Sequence, residues 1–303
     1  MICVDDLSTG ERAHVNEFAG NERYEFIRHD VRQPVDIAGT VDRIYNLACP
    51  ASPPAYQADP VKTTLTSVLG ARNLLELATI TGARILQAST SEVYGDPKEH
   101  PQSENYRGNV ATMGPRACYD EGKRCAETLF FDYFRTRGTD IRVARIFNTY
   151  GPGMRPDDGR VVSNFIMEAL NNANLTVYGD GSFSRSFCYV DDLVDGLISL
   201  MEFEGEFPGP VNLGNPDEFT INELAKMILE LTKSQSRIIH IPEVTDDPHL
   251  RRPDITRARQ LLCWEPTISL QAGLPSTIAY FASLAEETQI KPSQYHTPSL
   301  AGA

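Results

Sequence analysis

What most restricts the fold of this chain is a succession of short apolar runs, of strand and not helix length, each ending in polar or acidic residues. Residues 1–6, 24–31, 42–50, 83–88 and 141–147 are such runs. Residues 59–81 read as a helix, with Val61, Leu65, Val68, Leu69 and Leu75 on one apolar side. No hairpin signal separates consecutive runs, so the strands must be joined by crossovers and run parallel, with helices packed on the sheet. A second helical period, through Ala126, Leu129, Phe130, Tyr133 and Phe134, marks the buried face of a helix that begins near Tyr119.

Beyond residue 150 the elements shorten and are separated by Gly, Pro and Asp. A helix opens within 159–165, and 175–182 reads as a strand and tight turn. The run 185–192 leads into a further helix, with Asp191 expected as its N-cap. Residues 211–215 and the helix from Thr220 return to the sheet side, and the charged loop 247–254 precedes a last helical region. The chain thus divides into residues 1–150, residues 151–288 interwoven with the first part, and a disordered tail at 289–303.

Hydrophobic residues at 41% and charged residues at 23% are the balance of an ordinary globular chain. No apolar run approaches the ~20 residues of a membrane span, and no basic-then-apolar leader opens the sequence, so a cytoplasmic protein is expected. Six cysteines without a Cys-x-x-Cys pair or a neighbouring histidine set read as reduced and structural, and no metal site is expected. A net charge of −13 disfavours nucleic acid and anionic membrane as partners. An anionic ligand would therefore need arginines gathered around it.

Tyr119 and Lys123, four apart, rise from one helix face one turn from each other. Alone, that spacing is an ordinary exposed pair. The 83–88 strand, however, ends directly in Ser89, Thr90, Ser91 and Glu92, and open parallel sheets bind ligands at the C-terminal ends of their strands. A phenol that starts near pKa ~10 and is lowered by an adjacent ammonium approaches the strength of a general base at neutral pH.

STSEVYG at 89–95, GPRACYDEGK at 114–123 and RIFNTYGP at 145–152, in that order, resemble the extended short-chain dehydrogenase/reductases. Within them the resemblance is to the UDP-glucuronate decarboxylases, and it runs from residue 1 to about residue 285. It implies a Rossmann-like, doubly wound α/β fold with a smaller C-terminal α/β region for substrate, NAD as cofactor, UDP-glucuronate as substrate and a homodimer. It further implies that Tyr119 takes the proton of the sugar C4 hydroxyl, that Lys123 holds the nicotinamide ribose and lowers the tyrosine pKa, and that Thr90 hydrogen-bonds the reacting hydroxyl. Glu92, on the same side as Thr90 if strand geometry persists, would position the sugar around C5 and C6. The product would be UDP-xylose, by way of a UDP-4-keto sugar.

By the same resemblance the cofactor would meet the first strand end and turn at Asp5, Asp6, Ser8, Thr9 and Gly10, and the next strand end at Asp30 and Val31. It would also meet Leu47, Ala48, Thr66 and Ser89, together with Tyr119 and Lys123. The substrate would meet Asn148, Arg160, Asn164, Tyr178, Arg185 and Arg251. The related 4,6-dehydratases carry an acid where this chain has Ser91, and the 4-epimerases generally lack the glutamate at 92. The alternatives are another 4-epimerase or 4,6-dehydratase, or a catalytically silent UDP-sugar-binding paralogue. The family commonly has Lys, Asn, Asn and Arg where this chain has Leu65, Ser67, Asp6 and Gly153. No glycine-rich phosphate loop occurs near the start. The chain therefore reads as the family's enzyme without its first βα unit, either incomplete or a natural short form, with NAD binding weakened accordingly.

Overall fold

The computed structural model describes residues 1–206, 209–242 and 250–288, the side chains of 286–288 excepted. The tail expected at 289–303 lies outside the described residues. The first half of the chain runs β1 (Ile2–Asp5), α1 (Arg12–Asn16), β2 (Glu25–Arg28), β3 (Arg43–Asn46), α2 (Pro53–Ala58) and α3 (Pro60–Leu65). One π turn (Thr66–Gly70) leads into α4 (Ala71–Thr81), then β4 (Arg84–Thr90), a 3₁₀ turn (Ser91–Tyr94), α5 (Ala117–Arg137) and β5 (Ile141–Ile146). The second half runs β6 (Thr149–Tyr150), α6 (Val161–Leu170), β7 (Leu175–Tyr178), β8 (Ser184–Ser186), β9 (Cys188–Tyr189), α7 (Val190–Glu202) and β10 (Val211–Leu213). It ends with β11 (Glu218–Thr220), α8 (Ile221–Thr232), β12 (Ile238–Ile241), β13 (Leu250–Arg251), α9 (Thr256–Leu262) and α10 (Leu270–Thr288).

The main sheet has the order β10-β5-β4-β3 and every pairing in it is parallel. Its strands alternate between two cores, as a period of two requires when both faces are covered. Ile85, Ile141 and Val143 join Leu74 and Leu75 of α4 and Ala126 and Phe130 of α5. Leu86, Ala144 and Leu213 turn the other way, onto Leu193 and Leu200 of α7, Ala258 of α9 and Trp264. A third core, with Phe165, Leu175, Leu224, Leu274 and Phe281, belongs to the second half. β10, although it follows residue 150, completes the first half's sheet beside β5.

Four expectations need correction. The strands expected to form one sheet form two: β1 pairs in parallel with β2, and neither is in the sheet that contains β3. No helix connects β2 to β3. Residues 59–81 do not share one apolar stripe; Val61 is 68% exposed and Leu65 39%. The π turn inserts an extra residue per turn and rotates the helix face, so residues before and after it cannot line up; Thr63, Thr66 and Ser67 are buried there instead. Phe134, expected in the core, is 40% exposed. Asp191 does not cap α7, whose N-cap is Tyr189. It is Asp192, one residue on and buried, whose carboxylate accepts from Thr267 N at 3.1 Å and Ile268 N at 2.9 Å.

Gly95 closes the 3₁₀ turn at φ +63°, ψ −139°, backbone that side-chain-bearing residues avoid. A Cβ there would stand 2.0 Å from the Asn109 carbonyl oxygen. Gly95→Ala is expected to lower unfolding free energy by about 2 kcal/mol or more, read from the denaturant midpoint; an unchanged midpoint would mean that the Asn109 backbone moves aside freely.

Candidate active site

The end of β4 and the start of α5 meet at Thr90, Tyr119 and Lys123. Tyr119 and Lys123 lie in the first two turns of α5, both buried. The Lys123 ammonium is 5.7 Å from the Tyr119 ring centre and donates to the Ala88 carbonyl at 2.8 Å. The Thr90 hydroxyl hydrogen-bonds Tyr119 and accepts from Glu92 N at 3.2 Å. On its other side the Tyr119 ring stacks on Tyr56 of α2, with centroids 5.1 Å apart and planes 6° from parallel.

The electrostatics correct one expectation. Burial pushes the Tyr119 phenol up and Cys49 adds to that; the Thr90 hydrogen bond and Arg160 pull down without cancelling it. Burial likewise lowers Lys123. A lysine in the same desolvated pocket does not by itself make this phenol more acidic, because loss of water penalises both charged forms. Further positive charge has to enter the site before Tyr119 can act as a base.

Strand geometry ends at Thr90, so Glu92 stands in the 3₁₀ turn and not two strand positions beyond Thr90. Its half-buried carboxylate accepts from Arg251 of β13 through two guanidinium nitrogens, one at 2.9 Å, and from Arg116 at 2.7 Å. Burial works against the charge, but the Arg251 and Arg116 cations hold Glu92 down at about 2. Arg185 pairs with Arg251 in the register of β8 and β13, so two of the three expected arginines stand side by side. Arg160 lies apart from them, held by Asp158 with one contact at 3.0 Å. Sequence reasoning missed Arg116, Asp158 and Tyr56. Arg116 had a signal, since a glutamate placed after a strand end needs more than one donor; Tyr56, between Ala55 and Gln57, had none.

A cleft of about 660 Å³ opens beside these groups, lined by Ser8, Thr9, Cys49, Tyr150, Arg155 and Arg160 among others, within the size range of small-molecule sites. Of the expected cofactor residues Ser8 and Thr9 line it, and the others do not. Asp5 accepts from Leu7 N at 2.6 Å, and Gly10 packs over its carboxylate. Asp6 pairs with Lys62 at 2.9 Å; burial opposes its charge, and bonds from Ser8 and Lys62 hold it below the usual carboxylate range. The Asp30 carboxylate is chelated by Arg32, and Val31 is buried, its carbonyl accepting from Asn73 at 2.9 Å. Leu47, 57% exposed, and half-buried Ala48 follow β3. The Thr66 hydroxyl turns back to the Lys62 carbonyl at 2.8 Å.

Ser89 is buried, and its hydroxyl is committed to Glu127 at 2.5 Å. Glu127 in turn holds Arg145 at 2.7 Å, and Arg145 reaches the Tyr94 hydroxyl at 3.1 Å. This network ties β4, α5 and β5 together beneath the site. Of the remaining expected substrate residues, Asn148 accepts from Cys188 N at 2.9 Å through its carbonyl, and the Asn164 amide donates to Gly159 O at 3.2 Å. Tyr178 is 39% exposed at the end of β7, in a separate two-stranded sheet with β12.

The chain is 54% identical over 282 residues, 93% of its length, to UDP-glucuronic acid decarboxylase 1 of Danio rerio, of which it spans 66%. It is 55% identical over 275 residues to UDP-glucuronic acid decarboxylase 3 of Arabidopsis thaliana, covering 91% of this chain and 79% of that protein. Its structure superimposes, at a TM-score of 0.85 and 25% identity, on a Bacillus cereus UDP-glucuronic acid 4-epimerase variant crystallised with a fluorinated UDP-glucuronic acid and NAD, covering 93% of this chain and 91% of that one. A Thermotoga maritima UDP-glucose 4-epimerase solved with UDP-glucose gives a TM-score of 0.82 at 26% identity, with 93% and 91% covered. These neighbours share the Rossmann-like α/β architecture expected from the sequence. Residues 1–214, which hold the main parallel sheet and every group around Tyr119 except Arg251, match the pattern of the NAD dependent epimerase/dehydratase family, and the chain belongs to that family.

Proposed function

We propose that the chain decarboxylates UDP-glucuronate to UDP-xylose with NAD as cofactor. The observation that carries this reading is the Thr90–Tyr119–Lys123 group, a hydroxyl, a phenol and an ammonium gathered for a sugar hydroxyl, with the clamped Glu92 beside it as an acceptor. Relatives at 54–55% identity that are named UDP-glucuronic acid decarboxylases support it.

The residues present fit the two ends of a dinucleotide. Lys123 is buried with one hydrogen bond among the described residues, leaving ammonium donors for ribose hydroxyls. Asp5 and Asp6 at the end of β1 offer carboxylates to the other ribose. A bound nicotinamide ring would supply a reversible hydride acceptor for the sugar's C4. Tyr119 would take the C4 hydroxyl proton and later return it, with Thr90 fixing the line of transfer. With C4 a ketone, the C6 carboxylate is β to a carbonyl, so carbon dioxide can leave and the electron pair of the C5–C6 bond is held as an enolate. Glu92 stays ionised throughout and serves as a fixed acceptor for sugar hydroxyls, while Arg185 and Arg160 offer guanidinium donors to the diphosphate.

The test is incubation of the purified protein with NAD and UDP-glucuronate labelled at the carboxyl carbon. Labelled carbon dioxide with UDP-xylose is the expected result. A C4 epimer retaining every carbon would replace this reading with that of an epimerase, and UDP binding without turnover would replace it with that of a silent binding protein. Within the same reading the protein is a cytoplasmic homodimer, which sedimentation and cell fractionation would check. Among the described residues no helix is long and apolar enough to cross a membrane.

A further inference from the structure

A second, smaller cavity of about 70 Å³ lies behind Glu92, lined by Glu92, Asp96, Asn109, Arg116 and Asp120 among others. That volume exceeds the ~10–15 Å³ that a water molecule needs, and the lining is polar. Asp120, next in sequence to Tyr119, is 6% exposed, and its buried Oδ1 has no hydrogen-bond donor among the described residues. With no protein donor on that oxygen, and with the Glu92 anion on the same chamber wall, a buried carboxyl here favours its neutral form. We propose that Asp120 is the proton reserve of the reaction, a neutral acid that supplies the sugar's C5 through water in this chamber.

The inference rests on the decarboxylation reading, because that reaction consumes one proton and none of the groups already placed can donate it. Glu92 is locked as an anion by two guanidiniums, and the proton that Tyr119 takes is returned to the C4 oxygen. When carbon dioxide leaves, the C5–C6 pair becomes an enolate across C4 and C5. Water in the chamber gives its proton to C5 and takes one from Asp120, so that C5–H forms, C4 becomes a ketone again and Asp120 is left as a carboxylate. Arg116 on the same wall receives that charge until solvent reprotonates the acid. Asp120 acts through water and is a positioning residue for the proton, not a group that touches the sugar.

The charges around Asp120 agree with this role. Burial and then the Glu92 anion push its carboxyl up to about 7; Arg116 and Arg251 pull it down, and Glu121 of the same helix pushes it further up. The other titratable groups that face it are Tyr56 of α2 and Cys118 of α5, with Asp96 across the chamber. A carboxyl raised above its ordinary value is protonated below about pH 7 and loses the proton as pH rises through that point.

Infrared difference spectra of the full chain against Asp120→Asn test the protonation directly, with or without turnover. The wild type is expected to show a carboxylic acid C=O band at pH 6 that fades between pH 6 and 8 and is absent from Asp120→Asn. With UDP-glucuronate, Asp120→Asn is expected to release carbon dioxide about a hundredfold more slowly at pH 6, and the ratio of wild-type to variant rate should fall as pH rises past 7. An ionised Asp120 at pH 6, seen on the wild type itself whether or not the variant folds, overturns the proposal, as does a variant with the wild-type rate and profile. If the wild type releases no carbon dioxide while the acid band is present, the decarboxylation reading fails and the assignment of the buried proton stands.

Discussion

Glu92→Ala is expected to cost the fold about 3–5 kcal/mol, far more than removal of an exposed carboxylate. The reason lies in what remains behind. Arg251 is 4% exposed, Arg116 is nearly as deeply placed beside the site, and both aim guanidinium nitrogens at the same carboxylate. Without it, two cations sit close together in a desolvated pocket, and each has lost the carboxylate they share. Denaturant unfolding of the variant at neutral pH checks the loss; a change under about 1 kcal/mol would mean that water reaches these arginines freely. The pH dependence has a definite sign. Because Glu92 is held near 2, below its ordinary 4.5, its stabilisation is fully present above pH 4.5 and is lost as pH falls towards 2. Glu92→Gln has no such titration, so its deficit against wild type should close over that window.

The parts of this site visible in the sequence are those whose physics is local. Thr90 and Tyr119 could be placed because strand length, helical spacing and the motifs around them are read within a few residues. Glu92 could be named but not oriented, since nothing local announces that β4 gives way to a 3₁₀ turn at Ser91. The shift of Tyr119 was expected in the wrong direction because its neighbour at i+4 is readable and its burial is not. Arg116, Tyr56 and Asp120 acquire their roles only where α2, α5 and β13 converge, which no spacing encodes. The single apolar stripe expected over 59–81 failed for a similar reason: the π turn is set by close packing, in which Gly70 admits Val31 and Gly122 admits Ser67, and not by propensity along the helix.

Tyr119→Phe is expected to lower carbon dioxide release by about 10²–10⁴-fold, while UDP affinity stays within about twofold and stability within about 1 kcal/mol. The three effects separate because the hydroxyl and the ring do different work. The ring lies flat on Tyr56 and beside the Lys123 ammonium, and phenylalanine keeps both contacts. The hydroxyl bonds Thr90, whose oxygen still has the Glu92 amide when the phenol is gone. What cannot be replaced is a titratable oxygen next to Thr90, and Lys123 is no substitute base while its ammonium donates to the Ala88 carbonyl. Turnover of UDP-glucuronate and UDP binding, measured on the same preparation, decide the matter. Retained turnover would remove the phenol from the proton path, and a joint loss of turnover and folding would make the Tyr119 hydroxyl a structural group whose loss says nothing of a base.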